Sequence, residues 1–94
     1  MANDVKVLKL ITGEEVIARV TEEKNNLITL EKPMILKMLP PDRTTGQVGF
    51  ALMPWMQAAK NEKVIISTEH IIAEDEGSEQ TQKNYLQLVT GLSL

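Results

Sequence analysis

The sequence predicts a mainly β domain that ends in one α-helix. Apolar and polar residues alternate with a period of two within Leu8–Leu30, which is typical of half-buried strands. Short apolar runs separated by polar or glycine-containing breaks continue as far as residue 73. From Ser78 onward the apolar residues follow a helical spacing instead. The 94 residues make up a single domain, 1–94.

The first two predicted strands form a hairpin. Gly13 lies in the polar segment TGEE between two apolar runs, which predicts a turn. The flanking strands are Val5–Ile11 and Glu15–Glu22. The alternation changes phase between Val7 and Leu8, which indicates either a bulge or a strand covered on both faces.

The third predicted strand is long and bent. It starts at Asn26 and continues to about Leu39. Its apolar residues keep one parity, interrupted by Lys32: Ile28, Leu30, Met34, Leu36 and Met38. Proline lacks an N–H and is tolerated at an edge or a bend. Lys32-Pro33 is therefore predicted to be the point where the strand curves.

The segments after the third strand alternate between loops and short strands. Two prolines and a glycine make 40–47 the clearest loop. Residues 48–56 form a strand with apolar residues on both faces, and 57–62 form a helical turn or a loop. Two short strands follow, 64–66 and 71–73, joined by a tight turn. The strand part of the domain thus covers about 5–75.

The C-terminal segment predicts a helix over about 78–91. Ser78 has the chemistry of an N-cap, and Gly91 is a natural stop. Four residues at helical spacing form the predicted packing face against the sheet or a neighbouring subunit: Tyr85, Leu88, Val89 and Leu92.

The composition excludes several classes of partner. The net charge is −3 and no block of Lys or Arg occurs, which argues against avid binding to a nucleic-acid backbone and against double-stranded DNA. Base-directed binding in a small pocket stays open. No apolar run approaches the roughly 18 residues of a membrane span, the start MANDVKV is not a signal peptide, and cysteine is absent. We expect a soluble, cytoplasmic protein without a membrane partner, for which oligomerisation adds burial.

The sequence also predicts that the protein is not an enzyme. His70 is the single histidine, so one chain cannot form a multi-histidine metal site, and we interpret His70 as a turn or interface residue. Neighbouring acids point to opposite faces of a strand, so the acidic doublets are interpreted as solubilising charges at hairpin ends. Neither a phosphate-binding loop nor a nucleophile elbow occurs. We expect neither a cofactor nor a bound metal.

The segment MPWM, 53–56, is the most unusual local feature. Trp55 between methionines offers a platform for stacking a base or for binding a peptide. The alternative is that Trp55 packs at a subunit interface or over the end of the barrel.

The order of these strands resembles the Sm-like (LSm) family. The residues within Val7–Leu30 resemble its first motif, with Gly13 at the turn and Asn26 leading into the apolar run 27–30. The segment 66–72, ISTEHII, occupies the slot of the second motif. The chain is also similar to small Sm-like proteins of marine cyanophages, in which case the cytoplasm would be that of the bacterial host.

The resemblance implies a strongly bent five-stranded Sm-like (SH3-like) barrel and a homo-oligomeric ring of about five to seven subunits. In the family the fourth strand of one subunit pairs with the fifth strand of the next. The sequence leaves open whether 48–56 or 63–67 is that fourth strand. The corresponding interface residues are predicted to be Phe50, Leu52, Trp55, Ile71 and Ile72.

Members of the family bind short single-stranded RNA around the ring pore. By position, the resemblance assigns this role to two groups of residues: Glu23, Lys24, Asn25 and Asn26, with Ser67 and Thr68 opposite. Two departures weaken the match: Lys24 and Asn25 stand where the family has a base-stacking aromatic, and Ser67-Thr68 replaces Arg-Gly. Three roles therefore remain open: RNA binding, a protein-interaction ring without RNA recognition, and an SH3-like monomeric adaptor.

Overall fold

The structure, a computed structural model, describes residues 5–56 and 63–90. These residues form six strands, a 3-10 turn and one helix. Their bounds are β1 Val5–Leu10, β2 Glu15–Lys24, β3 Leu27–Met38, β4 Phe50–Pro54, β5 Lys63–Ser67, the 3-10 turn Thr68–His70, β6 Ile71–Glu76 and α1 Glu79–Thr90. The predicted class, mainly β with a C-terminal helix, is confirmed. The predictions for 57–62, Gly91 and Leu92 lie outside the described residues.

The strands form one antiparallel sheet in the order β4-β3-β2-β1-β6, with β5 also paired to β3. β3 has two partners on one side, because residues 27–31 pair with β5 and residues 34–38 pair with β4. Both candidates for the fourth strand are therefore real, and each covers one half of β3. Within the described residues, β6 lies at one edge of the sheet, and β4 and β5 lie at the other.

The bend predicted at Lys32-Pro33 is confirmed. These two residues stand opposite the single residue Ala18 of β2, where the register shifts, so β3 carries a bulge. Lys32 has a φ of 50°, a left-handed conformation that few non-glycine residues adopt. The bulge curves β3 and lets its two halves pair with different strands.

Two apolar clusters lie on opposite faces of the curved sheet. The inner cluster consists of Leu8, Leu10, Val16, Ala18, Ile28 and Leu30. The outer cluster, Val5, Ile17 and Tyr85, lies under α1. β1 therefore contributes to both clusters, and its register with β2 runs without a shift. The change of phase after Val7 reflects a strand covered on both faces, which was one of the two readings.

α1 packs on the sheet through Tyr85, Leu86 and Val89. Ser78 is its N-cap, as predicted, because its Oγ accepts the Thr81 N–H at 3.2 Å. Leu88 is 54% exposed, so of the two predicted partners, the sheet and a neighbouring subunit, the sheet is excluded for this residue. Successive residues of a helix are 100° apart, so the buried face is centred between Tyr85, Leu86 and Val89, and Leu88 lies outside this face.

Tyr85 fastens the helix to the bend of β3. Its side chain is 1% exposed, and its hydroxyl donates to the carbonyl oxygens of Glu31 at 2.7 Å and Lys32 at 3.0 Å. The Arg19 N–H donates to the same hydroxyl at 3.3 Å. Lys32 Nζ in turn donates to the Val89 carbonyl in the last turn of α1. The helix is thus tied to the point where the halves of β3 meet.

Candidate nucleic-acid interface

The structure brings together the two turns to which the resemblance assigns RNA binding. Asn25 and Asn26 form a two-residue turn between β2 and β3, and the 3-10 turn connects β5 to β6. The Thr68 N–H donates to the Asn26 carbonyl oxygen at 3.0 Å, and the Thr68 hydroxyl donates to the same oxygen at 3.3 Å. These hydrogen bonds fix one turn against the other.

The β2–β3 turn is tighter than predicted. The sequence predicts that the second strand ends at Glu22, but β2 continues to Lys24, which pairs with Leu27. Asn25 and Asn26 have φ values of 54° and 63°, the left-handed region in which asparagine is favoured in hairpin turns. The left-handed backbone of this turn thus explains why asparagine occupies both positions. The two side chains are exposed.

The hydroxyls of Ser67 and Thr68 are both engaged in the second turn. Ser67 Oγ accepts the Glu69 N–H at 3.3 Å and caps the 3-10 turn. The Thr68 hydroxyl binds the Asn26 carbonyl. Thr68 thus holds the two turns together and Ser67 stabilises the second turn, roles that sequence reasoning did not assign to them.

Four of the six predicted RNA-binding residues line two clefts rather than one surface, and Asn26 and Ser67 line neither of these clefts. Glu23 is opposite Ile28 and Lys24 is opposite Leu27, and successive side chains of a strand point to opposite faces. The Glu23 cleft also contains Ile28, Thr68, Ile71, Ile72, Ala73 and Glu74. The Lys24 cleft also contains Glu22, Asn25, Leu27, Thr29 and Ile65.

The charges of the two clefts favour contacts with bases over contacts with phosphates. Among the lining residues, Glu22, Glu23 and Glu74 are acidic, and Lys24 is the one cation. A carboxylate accepts hydrogen bonds from the amino groups of bases, but it repels phosphate. The clefts can therefore recognise a base edge, with Lys24 available for a phosphate.

The five predicted interface residues differ in exposure. Phe50 and Ile72 are 58% and 64% exposed. Leu52 packs against the outer cluster, and Trp55 and Ile71 pack against the inner cluster. These three side chains are half-buried within one chain.

Trp55 is held in place by polar contacts as well as by packing. Its indole N–H donates to Glu14 Oε2 at 3.3 Å, and its backbone N–H donates to the Pro33 carbonyl at 3.0 Å. The ring packs against the inner cluster, so Trp55 is a packing residue within one chain.

Sequence reasoning missed Ile65. Its side chain is 64% exposed on β5, whereas Ile66 packs against the inner cluster. The run Val64-Ile65-Ile66 is uniformly apolar, so the sequence did not separate an inner from an outer face. Successive side chains of a strand point to opposite faces, so Ile65 and Ile66 had to face opposite sides, and this was the available signal.

No group of three or more His, Asp or Glu side chains is arranged to hold a metal ion in the ranges 5–56 and 63–90. No helix of the same ranges is long and apolar enough to cross a membrane.

Comparison with known proteins gives one family. A family model described as Sm-like domain matches residues 7–86, which is most of the 94-residue chain. No curated protein matches the chain.

Proposed function

Because the chain belongs to the Sm-like family, we propose that it assembles into a homo-oligomeric ring of about five to seven subunits and that this ring binds single-stranded RNA. We propose a binding role without a catalytic step, and we propose that the protein acts in the cytoplasm. The observation that carries the RNA proposal is the pair of Thr68 hydrogen bonds to the Asn26 carbonyl, because they unite the two turns into one structure.

The ring proposal is supported by the directions of the backbone groups on two open edges. Hydrogen-bonded and non-bonded pairs alternate along an antiparallel ladder. The Thr68 N–H bonds to β3 at Asn26, so by alternation the N–H groups of Lys63, Ile65 and Ser67 point away from β3. The Gly77 N–H bonds to Val5, and the same alternation turns the N–H groups of β6 at Glu74 and Glu76 away from β1, up to the register shift at Ile72.

These outward groups define a register between β5 of one copy and β6 of the next. Pairing Lys63 with Glu74 of the neighbour brings Ile65 opposite Ile72, the residue at which the register of β6 with β1 shifts. Both isoleucines are 64% exposed, so the pairing covers two apolar side chains that one chain leaves open. An opposite-charge pair across strands adds stability and selects the register.

The RNA proposal rests on base contacts near the turns. In a ring, each subunit would present Asn26, Glu23 and Lys24 in the same arrangement. The exposed Asn26 amide and the Glu23 carboxylate suit the edges of unstacked bases, while Lys24 supplies the positive charge for phosphate. With acidic residues dominating the clefts, we expect a modest dependence of the affinity on salt.

The test of the RNA proposal is Asn26→Gly, measured by fluorescence anisotropy with oligo(U) and oligo(A). Glycine adopts the φ of 63° without strain, so the substitution removes the amide and keeps the turn. We expect binding to weaken about tenfold, equivalent to about 1.4 kcal/mol.

The matched control is Asn84→Ala. Asn84 is exposed on α1, so this substitution removes a similar amide far from the turns. Equal affinities for Asn26→Gly and the parent protein would refute the site assignment.

A second candidate function is a ring that binds proteins and not RNA. The acidic balance of the two clefts and the exposed Phe50 favour it. In this case the intact ring would ignore both oligonucleotides, and Trp55→Ala would abolish partner capture or assembly. Because Trp55 packs against the inner cluster, the folding of that variant has to be checked by circular dichroism first.

A further inference from the structure

β4 presents an open edge that the proposed ring does not cover. The Leu39 N–H donates to the Gly49 carbonyl and the Trp55 N–H donates to the Pro33 carbonyl. By the alternation of an antiparallel ladder, the backbone groups of Phe50, Leu52 and Pro54 therefore point away from β3. In the proposed ring, β6 of the neighbouring copy pairs with residues 63–65 of β5. Because β6 ends at Glu76, this pairing does not extend to β4.

The β4 edge lacks the charged residues that most often keep an edge strand single, although it is short and ends in Pro54. Its sequence, FALMP, contains no charged residue, whereas exposed edges are usually protected by lysine or other charges. The surrounding surface is apolar. Of the eleven exposed large hydrophobic residues that the described ranges contain, six belong to this region: Met38, Leu39, Val48, Phe50, Met53 and Met56.

We infer that β4 pairs with β4 of a second copy of this chain, antiparallel and about a two-fold axis at Leu52. The Leu52 N–H and carbonyl of each copy would bond to those of the other. The Phe50 N–H of each copy would donate to the Pro54 carbonyl of the other. Pro54 has no N–H to donate, so its outward position costs the strand no donor.

The self-pairing of β4 follows from its sequence and from the area available. An isologous contact needs a surface complementary to itself, and an uncharged strand meets its own copy without like-charge repulsion. The six apolar side chains expose on the order of 500 Å², near the upper limit that monomers leave open. Two such surfaces give about 1,000 Å², the lower bound for a specific interface.

The inference does not depend on the ring, because the two contacts use different strands. Phe50→Glu places a carboxylate beside the two-fold axis and should break only the β4 contact. Ile65→Glu should break only the contact between β5 and β6. Both side chains are more than half exposed, so neither substitution removes a buried contact within one chain.

The experiment is native mass spectrometry of the full chain, of both single variants and of the double variant, at about 10–100 μM. We expect the parent protein to contain an even number of chains, Phe50→Glu to halve its mass, Ile65→Glu to leave a dimer, and the double variant to be monomeric. Leu88→Glu is the matched control, since Leu88 is similarly exposed on α1, and it should change nothing.

Two results would overturn the self-pairing. One is a monomeric Ile65→Glu, and the other is a Phe50→Glu variant with the mass of the parent protein. An extended peptide from another protein would then be the remaining occupant of the edge. A parent protein that is a dimer, reduced to a monomer by Phe50→Glu, would support the self-pairing while refuting the ring.

Discussion

The two halves of β3 lead to edges of different character. Residues 27–31 pair with β5, whose outer edge carries Lys63 and Ile65. Residues 34–38 pair with β4, whose edge carries no charge. A charged edge favours a partner with the opposite charge in the matching register. At an uncharged edge, the register of a pairing depends on the backbone hydrogen bonds and on apolar contacts. One strand thus leads to one edge suited to selection by charge and to one that lacks this selection.

The largest expected effect on stability comes from removing the Tyr85 side chain, which ties α1 to the bend between the two halves of β3. Tyr85 packs in the outer cluster, and its hydroxyl bonds to the carbonyls at the bend. Tyr85→Ala removes both, and we expect a loss of about 3–5 kcal/mol in the free energy of unfolding. Tyr85→Phe keeps the ring and removes only the hydroxyl, for an expected loss of about 1–3 kcal/mol. Urea unfolding followed by circular dichroism measures both losses.

Leu88→Ala is the control for these variants. Its side chain is exposed on the same helix, and an exposed substitution of this kind changes stability by less than about 0.5 kcal/mol. If Tyr85→Phe were as stable as the parent protein, the hydroxyl would not fasten α1 to the bend.

The second prediction tests the charged edge. Lys63→Glu would oppose Glu74 of the neighbouring subunit with a like charge. We expect the concentration at half-assembly to rise about tenfold, or about 1.4 kcal/mol, because repulsion replaces attraction at each contact. Adding Glu74→Lys restores the opposite-charge pair in reversed order and should restore assembly. Sedimentation velocity over a dilution series measures the change.

The single variant Glu74→Lys serves as the matched control, and it should weaken assembly as Lys63→Glu does. A double variant that assembles no better than the single variants would rule out the register that pairs Ile65 with Ile72.

The sequence predicted the parts of this comparison that depend on local patterns. The hairpin at Gly13 and the bend at Lys32-Pro33 follow from turn chemistry and from the missing N–H of proline. The two partners of β3 were seen only as alternatives, because pairing over a long sequence separation leaves no local signal. The outward side of Ile65 was missed for a related reason, since a uniformly apolar run carries no period.

The candidate site shows the same division between local and tertiary information. Asn26 was selected by its resemblance to a motif, and the structure adds that its φ of 63° already favours asparagine. The opposite directions of Glu23 and Lys24 depend on where β2 ends. β2 ends two residues later than the predicted Glu22, because Lys24 pairs with Leu27. Propensity alone does not define such a boundary.

The smallest expected effect on stability concerns the loop between β3 and β4, which contains Asp42. Asp42 Oδ1 accepts the backbone N–H groups of Thr45 at 3.0 Å and Thr44 at 2.7 Å. The bond from Thr45 and then that from Thr44 hold the pKa of the Asp42 carboxyl below its ordinary value. A depressed pKa means that the carboxylate stabilises the loop at any pH above the pKa of the unfolded chain.

This stabilisation is lost as the pH falls through the lower pKa of the folded loop. We therefore expect an NMR titration of the Asp42 carboxyl to have its midpoint below that of an unstructured aspartate. Asp42→Asn keeps an acceptor oxygen and removes the titration, so in this variant the amide shifts of Thr44 and Thr45 should no longer follow pH in the acid range. A normal midpoint in the parent protein would show that these hydrogen bonds do not persist in solution. The loop would then be held by its strand pairing and by the backbone hydrogen bonds that join Asp42 to Gln47 and to Gly46.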